Sequence, residues 1–218
     1  MQSGIRSLAS MNLAVRVVLG IFILTCVLTI FAQLVGIFAA GSAFTMSEYF
    51  ALFLLATGGI QIIAFVAAVI SIPLWVYRAH ANLRDAGIEG LKFRPGWATA
   101  SFFIPFVNLY VPFASTRQLF NRSHGESDWH ADSSVGDVTS WASCNWGALV
   151  VFIAFAGYAA VDAIPGVHVL LPMGAWFGLG VFLYVLLAGS AFYFLQLTAK
   201  ITAAQESGLH YGQSDVFA

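Results

Sequence analysis

Of 218 residues, 60% are hydrophobic and only 9% are charged, and the formal net charge is -1. Soluble domains carry about 45 to 50% apolar and about 25% charged residues, so an ordinary soluble domain is excluded. No basic patch is dense enough to track phosphates, which excludes a nucleic-acid partner, and two cysteines, Cys26 and Cys144, without CxxC spacing exclude a disulfide framework.

In chain order, residues 17–40 form the first long apolar run, interrupted only by Thr25, Thr29 and Gln33. As a helix it measures about 36 Å, enough to cross a hydrocarbon core of about 30 Å and too long for a signal-peptide core. Residues 50–76 form the second, with Gly58, Gly59 and Gln61 in the middle and Pro73 near the end. Trp75 and Tyr77 mark an exit at the headgroup level. Beyond it, Val76, Ala79, Leu83 and Ala86 continue one apolar face while Arg78, Asn82 and Asp85 line another, which predicts an amphipathic extension over 77–90 with Gly87 and Gly90 as terminators.

Residues 97–114 are apolar enough to be counted as a span but contain Pro105, Asn108 and Pro112. Each proline removes a donor from the helical ladder, and lipid offers no replacement. A re-entrant or interfacial segment is therefore expected. Residues 121–145 read as a polar cytoplasmic loop, 146–163 and 169–197 as a third and fourth span joined by a short Pro165-Gly166 turn, and 207–218 as a flexible tail. Gly174 and Gly178 have small-xxx-small spacing, read here as a packing face within the chain.

The nine Lys and Arg residues select among topologies. They cluster at Arg6 and Arg16, between Arg78 and Arg122, and at Lys200. Cytoplasmic loops carry the Lys/Arg excess, so all clusters share one side only if an even number of spans separates them. The expected fold is an all-α integral membrane protein and a single membrane domain. It has four transmembrane helices as two hairpins, a Pro-rich re-entrant or interfacial segment, amphipathic helices on the cytoplasmic side, and both termini cytoplasmic.

Four residues in the middle of the chain make a candidate polar cluster: Arg78, His80, Asn82 and Asn108. A buried Asn can satisfy backbone groups freed by proline, and Arg can hold the segment through its carbonyls, so the expected role is structural. Asp162, near the outer end of the third span, is the candidate intramembrane acid; such an acid handles protons or cations when buried, and an interfacial position is expected here. Gln33, Gln61 and Ser71 read as interhelical hydrogen-bond partners. His124, Glu126, Asp128, His130 and Asp132 alternate along one loop, but nothing in their spacing selects a metal geometry. No metal site, cofactor or catalytic motif is expected.

The run Trp75-Val76-Tyr77-Arg78-Ala79-His80-Ala81-Asn82-Leu83 is followed by Phe93-Arg94-Pro95-Gly96-Trp97. Next come Phe102-Phe103-Ile104-Pro105-Phe106-Val107-Asn108-Leu109-Tyr110-Val111-Pro112 and Arg117-Gln118-Leu119-Phe120. This ordered series resembles a bacterial family of multi-pass membrane proteins catalogued as a domain of unknown function (number four three two eight). Phe120 stands where that family more often has Trp. The resemblance implies a bacterial inner-membrane location and brings no activity with it. The function expected is a non-enzymatic accessory or scaffold subunit of a larger membrane complex or a homo-oligomer, whose partners are the lipid bilayer and other membrane subunits or further copies of itself. The alternative is a small ion or solute transporter or channel gated by the segment from Pro105 to Pro112. A lipid-modifying enzyme would require a polar pocket joining Arg78, His80 and Asn108.

Overall fold

The computed structural model describes residues 6–39, 48–126, 135–167 and 171–207. Most of these residues are helical, with no strand among them. Six α-helices occur among the described residues: α1 (Ala9–Ala39), α2 (Glu48–Asp85), α3 (Pro95–Ala100), α4 (Val111–Ser123), α5 (Gly136–Asp162) and α6 (Met173–Ser207). α1, α2, α5 and α6 are each long and apolar enough to cross a membrane.

The four long helices form an arc. α6 packs on both α1 and α5, and α1 packs on α2, whereas α2 and α5, at the two ends of the arc, are not packed together. α3 and α4 fill part of the gap, α3 against α2 and α4 against α2, α5 and α6. Direction follows from the hydrogen bonds. Asn82 near the end of α2 bonds the main chain of Arg6 just before α1, and also Gln205 near the end of α6. Lys200 of α6 pairs with Asp137 in the first turn of α5. The start of α1, the start of α5 and the ends of α2 and α6 therefore share one end of the arc, here termed basal. Ser7 Oγ donates to Glu206 Oε1 at 2.9 Å, so the two extremities of the described chain touch.

Local chemistry explains where the elements stop. Gly87 adopts φ +79°, a conformation that costs little only without a Cβ. Its N–H bonds the Arg84 carbonyl at 3.0 Å, and the Ile88 N–H bonds the Leu83 carbonyl at 3.2 Å. That pair is a Schellman motif and closes α2. α2 runs through Pro73, which has no N–H to give the carbonyl four residues back, at Val69.

The 97–114 stretch is not one helix. After α3 the chain passes through turns to a short 3-10 helix at Val107–Leu109 before α4 begins. At the tip the Val107 N–H reaches back only two residues, to the Pro105 carbonyl at 2.8 Å, with Phe106 between them at φ 63° and ψ -43°. This is close to the rare, strained γ-turn, and it reverses the chain within three residues. Phe106 itself is 86% exposed.

Two expectations need correction. The stretch 121–145 is not one polar loop, because α4 continues to Ser123 and α5 starts at Gly136. Its polarity is absorbed within the helix: Thr139, Ser143 and Asn145 each donate to the carbonyl four residues earlier, at 3.2, 2.9 and 2.9 Å. Val138 and Trp141 meanwhile bury their side chains in the core. The second correction concerns glycines. Apart from the backbone of its own helical turns and its chain neighbours, no described atom lies within 4 Å of a Cβ built at Gly174 or Gly178. The close approaches fall elsewhere: a Cβ at Gly36 meets the Phe177 ring at 2.8 Å, at Gly147 it meets Leu186 at 3.1 Å, at Gly180 it meets Gln33 at 3.2 Å, and at Gly189 it meets Cys144 Sγ at 3.0 Å. α1 and α5 thus reach α6 through these small positions, while the Gly174 and Gly178 face is open.

Candidate functional site

The basal end holds a buried polar knot. Asn82 works as a two-point clamp on the Arg6 main chain, its Nδ2 donating to the carbonyl at 2.9 Å and its Oδ1 accepting the N–H at 3.1 Å. The same Nδ2 reaches Gln205 Oε1 at 3.1 Å. Gln205 Nε2 in turn donates to the Ala79 carbonyl at 3.1 Å and to Ser123 Oγ at 2.9 Å. Four segments are tied in this way: the residues before α1, the ends of α2 and α6, and the end of α4. Asn82, Gln205 and Ser123 are all buried, where an unmade hydrogen bond is costly and a made one is specific about geometry.

Two residues before Asn82, His80 is fully buried with Nδ1 3.0 Å from the Val76 carbonyl, while its Nε2 and the Thr116 hydroxyl have no hydrogen-bond partner among the described residues. Trp75 lies earlier in α2 and donates through Nε1 to Thr202 Oγ1 at 3.3 Å. Its ring meets Phe194 edge-on, and a file of aromatic contacts continues from Phe194 to Trp141 to Phe113, with centroids 4.7 and 4.5 Å apart.

On the other side of this aromatic file lies a cavity of ≈ 260 Å³. Its back is formed by α1 and α6 through Leu19, Phe22, Leu187 and Ala191, and its flanks by α2 at Phe65 and Val69 and by α5 at Asn145. The proline segment contributes Phe102, Phe103, Asn108 and Phe113. The walls are apolar except at Asn108, Asn145 and Ser190, and no charged side chain lines the cavity. Asn145 Nδ2 already donates to the Trp141 carbonyl and to Ser190 Oγ at 2.8 Å.

The cluster expected from the sequence is therefore divided. His80 and Asn82 are buried basally, Arg78 is half-buried on the same helix, and Asn108 is exposed at the cavity, away from the knot. Arg78, His80 and Asn108 do not share one pocket. Asp162 is exposed at the last residue of α5, at the end opposite the knot. Gln61 Nε2 donates to Cys26 Sγ at 3.4 Å and so links α2 to α1. Gln33 Oε1 and Ser71 Oγ are buried without partners among the described residues. Asp128, His130 and Asp132 lie outside the described residues, and no group of three metal-ligating side chains occurs within them.

Gln205, Ser123, Asn145 and Ser190 were not singled out by the sequence. The one signal for Gln205 is its position: it continues the buried series Leu197, Ile201 and Thr198, Thr202 of α6 into the polar end of the helix.

These features define an all-helical protein with four helices of membrane-crossing length and composition, compatible with a multi-pass membrane protein. The chain belongs to the family described as Domain of unknown function (DUF4328), whose sequence model matches residues 43–203. Neither a curated protein nor a solved structure matches it.

Proposed function

We propose that this chain is a non-enzymatic protein of the bacterial inner membrane, crossing it four times as two hairpins with both termini cytoplasmic, and serving as an accessory or scaffold subunit or as a homo-oligomer. The observation that carries this reading is the contrast between its two ends. Basally, the buried polar side chains tie four segments of the same chain together; toward the other end, α5 and α6 carry outward Phe152, Ile153, Trp176 and Phe182 together with the open positions Gly174 and Gly178. Small residues on an apolar helix let another backbone approach closely. A face of this kind suits lipid and helix contacts better than aqueous chemistry.

The basal end carries the charge pattern of a cytoplasmic side. Arg6 precedes α1, Arg78 and Arg84 end α2, Lys92 and Arg94 precede α3, and Lys200 lies in the basal part of α6. The proline segment fits a re-entrant element. Its reversal leaves Phe103, Phe106 and Tyr110 more than half exposed, a poor surface for water and a good one for hydrocarbon.

In vivo crosslinking with a photoreactive residue at Gly178, followed by mild extraction, tests the scaffold role. A discrete crosslinked partner or dimer is expected; a monodisperse monomer with no crosslink at any outward position of α6 removes the basis for it. The cavity beside Asn108 favours a second reading, a small ion or solute transporter gated by the segment from Pro105 to Pro112. Flux into liposomes that Asn108→Ala alters, and Asp162→Asn alters if a cation is coupled, would support it.

A further inference from the structure

The geometry points to the cavity as the seat of one acyl chain of an anionic phospholipid, whose headgroup rests on the basic residues at the cavity's basal rim. The inference rests on the reading of the chain as membrane-embedded. Three observations select this occupant. The first is the lining: Phe22, Phe65, Phe103, Leu187 and their neighbours offer hydrocarbon contact, and no charged side chain enters. Ordered water needs two to four polar partners, and of the three polar side chains present, Asn145 and Ser190 already bond each other. Left unfilled, the walls would forfeit dispersion contact on that side.

The second observation is access. The cavity lies in the gap between α2 and α5, the two long helices that do not pack together, and its rim residues Phe65, Val69 and Phe103 are exposed. It is therefore continuous with the apolar outer surface of the helices, and a chain enters sideways from the surrounding lipid. The third is charge. Arg78, five residues past the wall residue Pro73, lies about 140° around α2 from it, so the charge at this wall comes from the residues before α3. Thr99 Oγ1, which donates to the Pro95 carbonyl at 2.9 Å, also lies 3.4 Å from the Pro73 carbonyl, so the start of α3, preceded by exposed Lys92 and Arg94, is held beside the same wall. Basic residues placed at the cytoplasmic mouth of an interhelical pocket attract anionic headgroups. The side-chain amide of Asn108 makes no hydrogen bond among the described residues and offers a donor for an ester carbonyl at the cavity edge.

The test uses the full chain in nanodiscs containing a trace of phosphatidylglycerol with a diazirine on one acyl chain, and peptide mapping of the adducts. Adducts concentrated on residues 65–73, 102–113 and 187–194, and competed by unlabelled phosphatidylglycerol, are expected. Ala191→Trp, which fills the cavity, should remove this labelling while leaving that of the outward residues Ile62 and Val150. Ala68→Phe, from the opposite wall, provides a second filling variant should the first fail to fold. Lys92→Gln with Arg94→Gln should lower labelling by phosphatidylglycerol about fivefold per removed charge and leave that by a matched phosphatidylcholine probe unchanged. Labelling spread evenly over all outward helix faces and insensitive to both filling variants overturns the acyl-chain site but leaves the membrane reading intact. Equal labelling by the two headgroups overturns the anionic assignment. An absence of adducts on every long helix overturns the membrane reading itself.

Discussion

Asn82 and Gln205 act at the scale of single residues, and their effect should be measurable there. Gln205→Leu leaves Ser123 Oγ and the Ala79 carbonyl without the donor they now share, inside the core. A buried group stripped of its partner costs about 1 to 3 kcal/mol, so the variant should unfold at a clearly lower temperature in detergent micelles. Asn82→Leu, which releases the Arg6 main chain as well, should cost a comparable amount. Because the two side chains bond each other, the double variant should lose less than the sum of the singles; strict additivity in a double-mutant cycle would show that the knot is not one network. The sequence pointed to Asn82 as one of the polar residues, with Arg78 and Asp85, on one face of an amphipathic helix extension. It did not point to Gln205, because a bond between residues so far apart in the chain leaves no local trace at either end.

At the scale of elements, the glycines divide into two classes. Gly36→Ala places a methyl against the Phe177 ring at the α1–α6 contact and should destabilise by about 1 to 3 kcal/mol, unless the ring turns aside. Gly178→Ala meets nothing in the isolated chain, so it should be neutral or stabilising by up to about 1 kcal/mol through helix propensity. Thermal unfolding of the two variants side by side checks the contrast. Small-xxx-small spacing drew attention to Gly174 and Gly178, although Ala32 with Gly36 and Ser143 with Gly147 have the same spacing, because spacing along one helix does not say which face meets a neighbour. The first turns of α5 were hidden for a related reason: Thr139, Ser143 and Asn145 look like loop residues until their hydroxyls and amide are seen bonding the helix's own carbonyls. The interruption at Pro105 and Pro112, by contrast, was legible, since loss of backbone donors is a property of proline wherever it stands. The tip formed there makes its own prediction. A nitroxide attached at Phe106→Cys, with Cys26 and Cys144 replaced, should be accessible to oxygen and shielded from a water-soluble nickel reagent; the opposite ranking would place the tip in water.

At the scale of the whole molecule, the four long helices were readable because membrane-crossing length and composition are cumulative over twenty or so residues and tolerate local error. Their order in the arc was not, since α1 packs more extensively on α6 than on its chain neighbour α2 and no pattern within a helix records that. The charge distribution links the two levels. Arg6, Arg78, Arg84, Lys92, Arg94 and Lys200 belong to the end of the arc where Ser7 meets Glu206, so a single orientation in the bilayer satisfies the basic residues, the two extremities of the chain and the polar knot together. Labelling in intact bacteria with a membrane-impermeant maleimide, using single cysteines at Glu126, Ile164 and Ser207 in a background without Cys26 and Cys144, tests this most directly. Reaction at position 164 alone, with 126 and 207 reacting only after lysis, is the predicted result; reaction at 126 or 207 in intact cells would contradict the four-span topology with a cytoplasmic basal end.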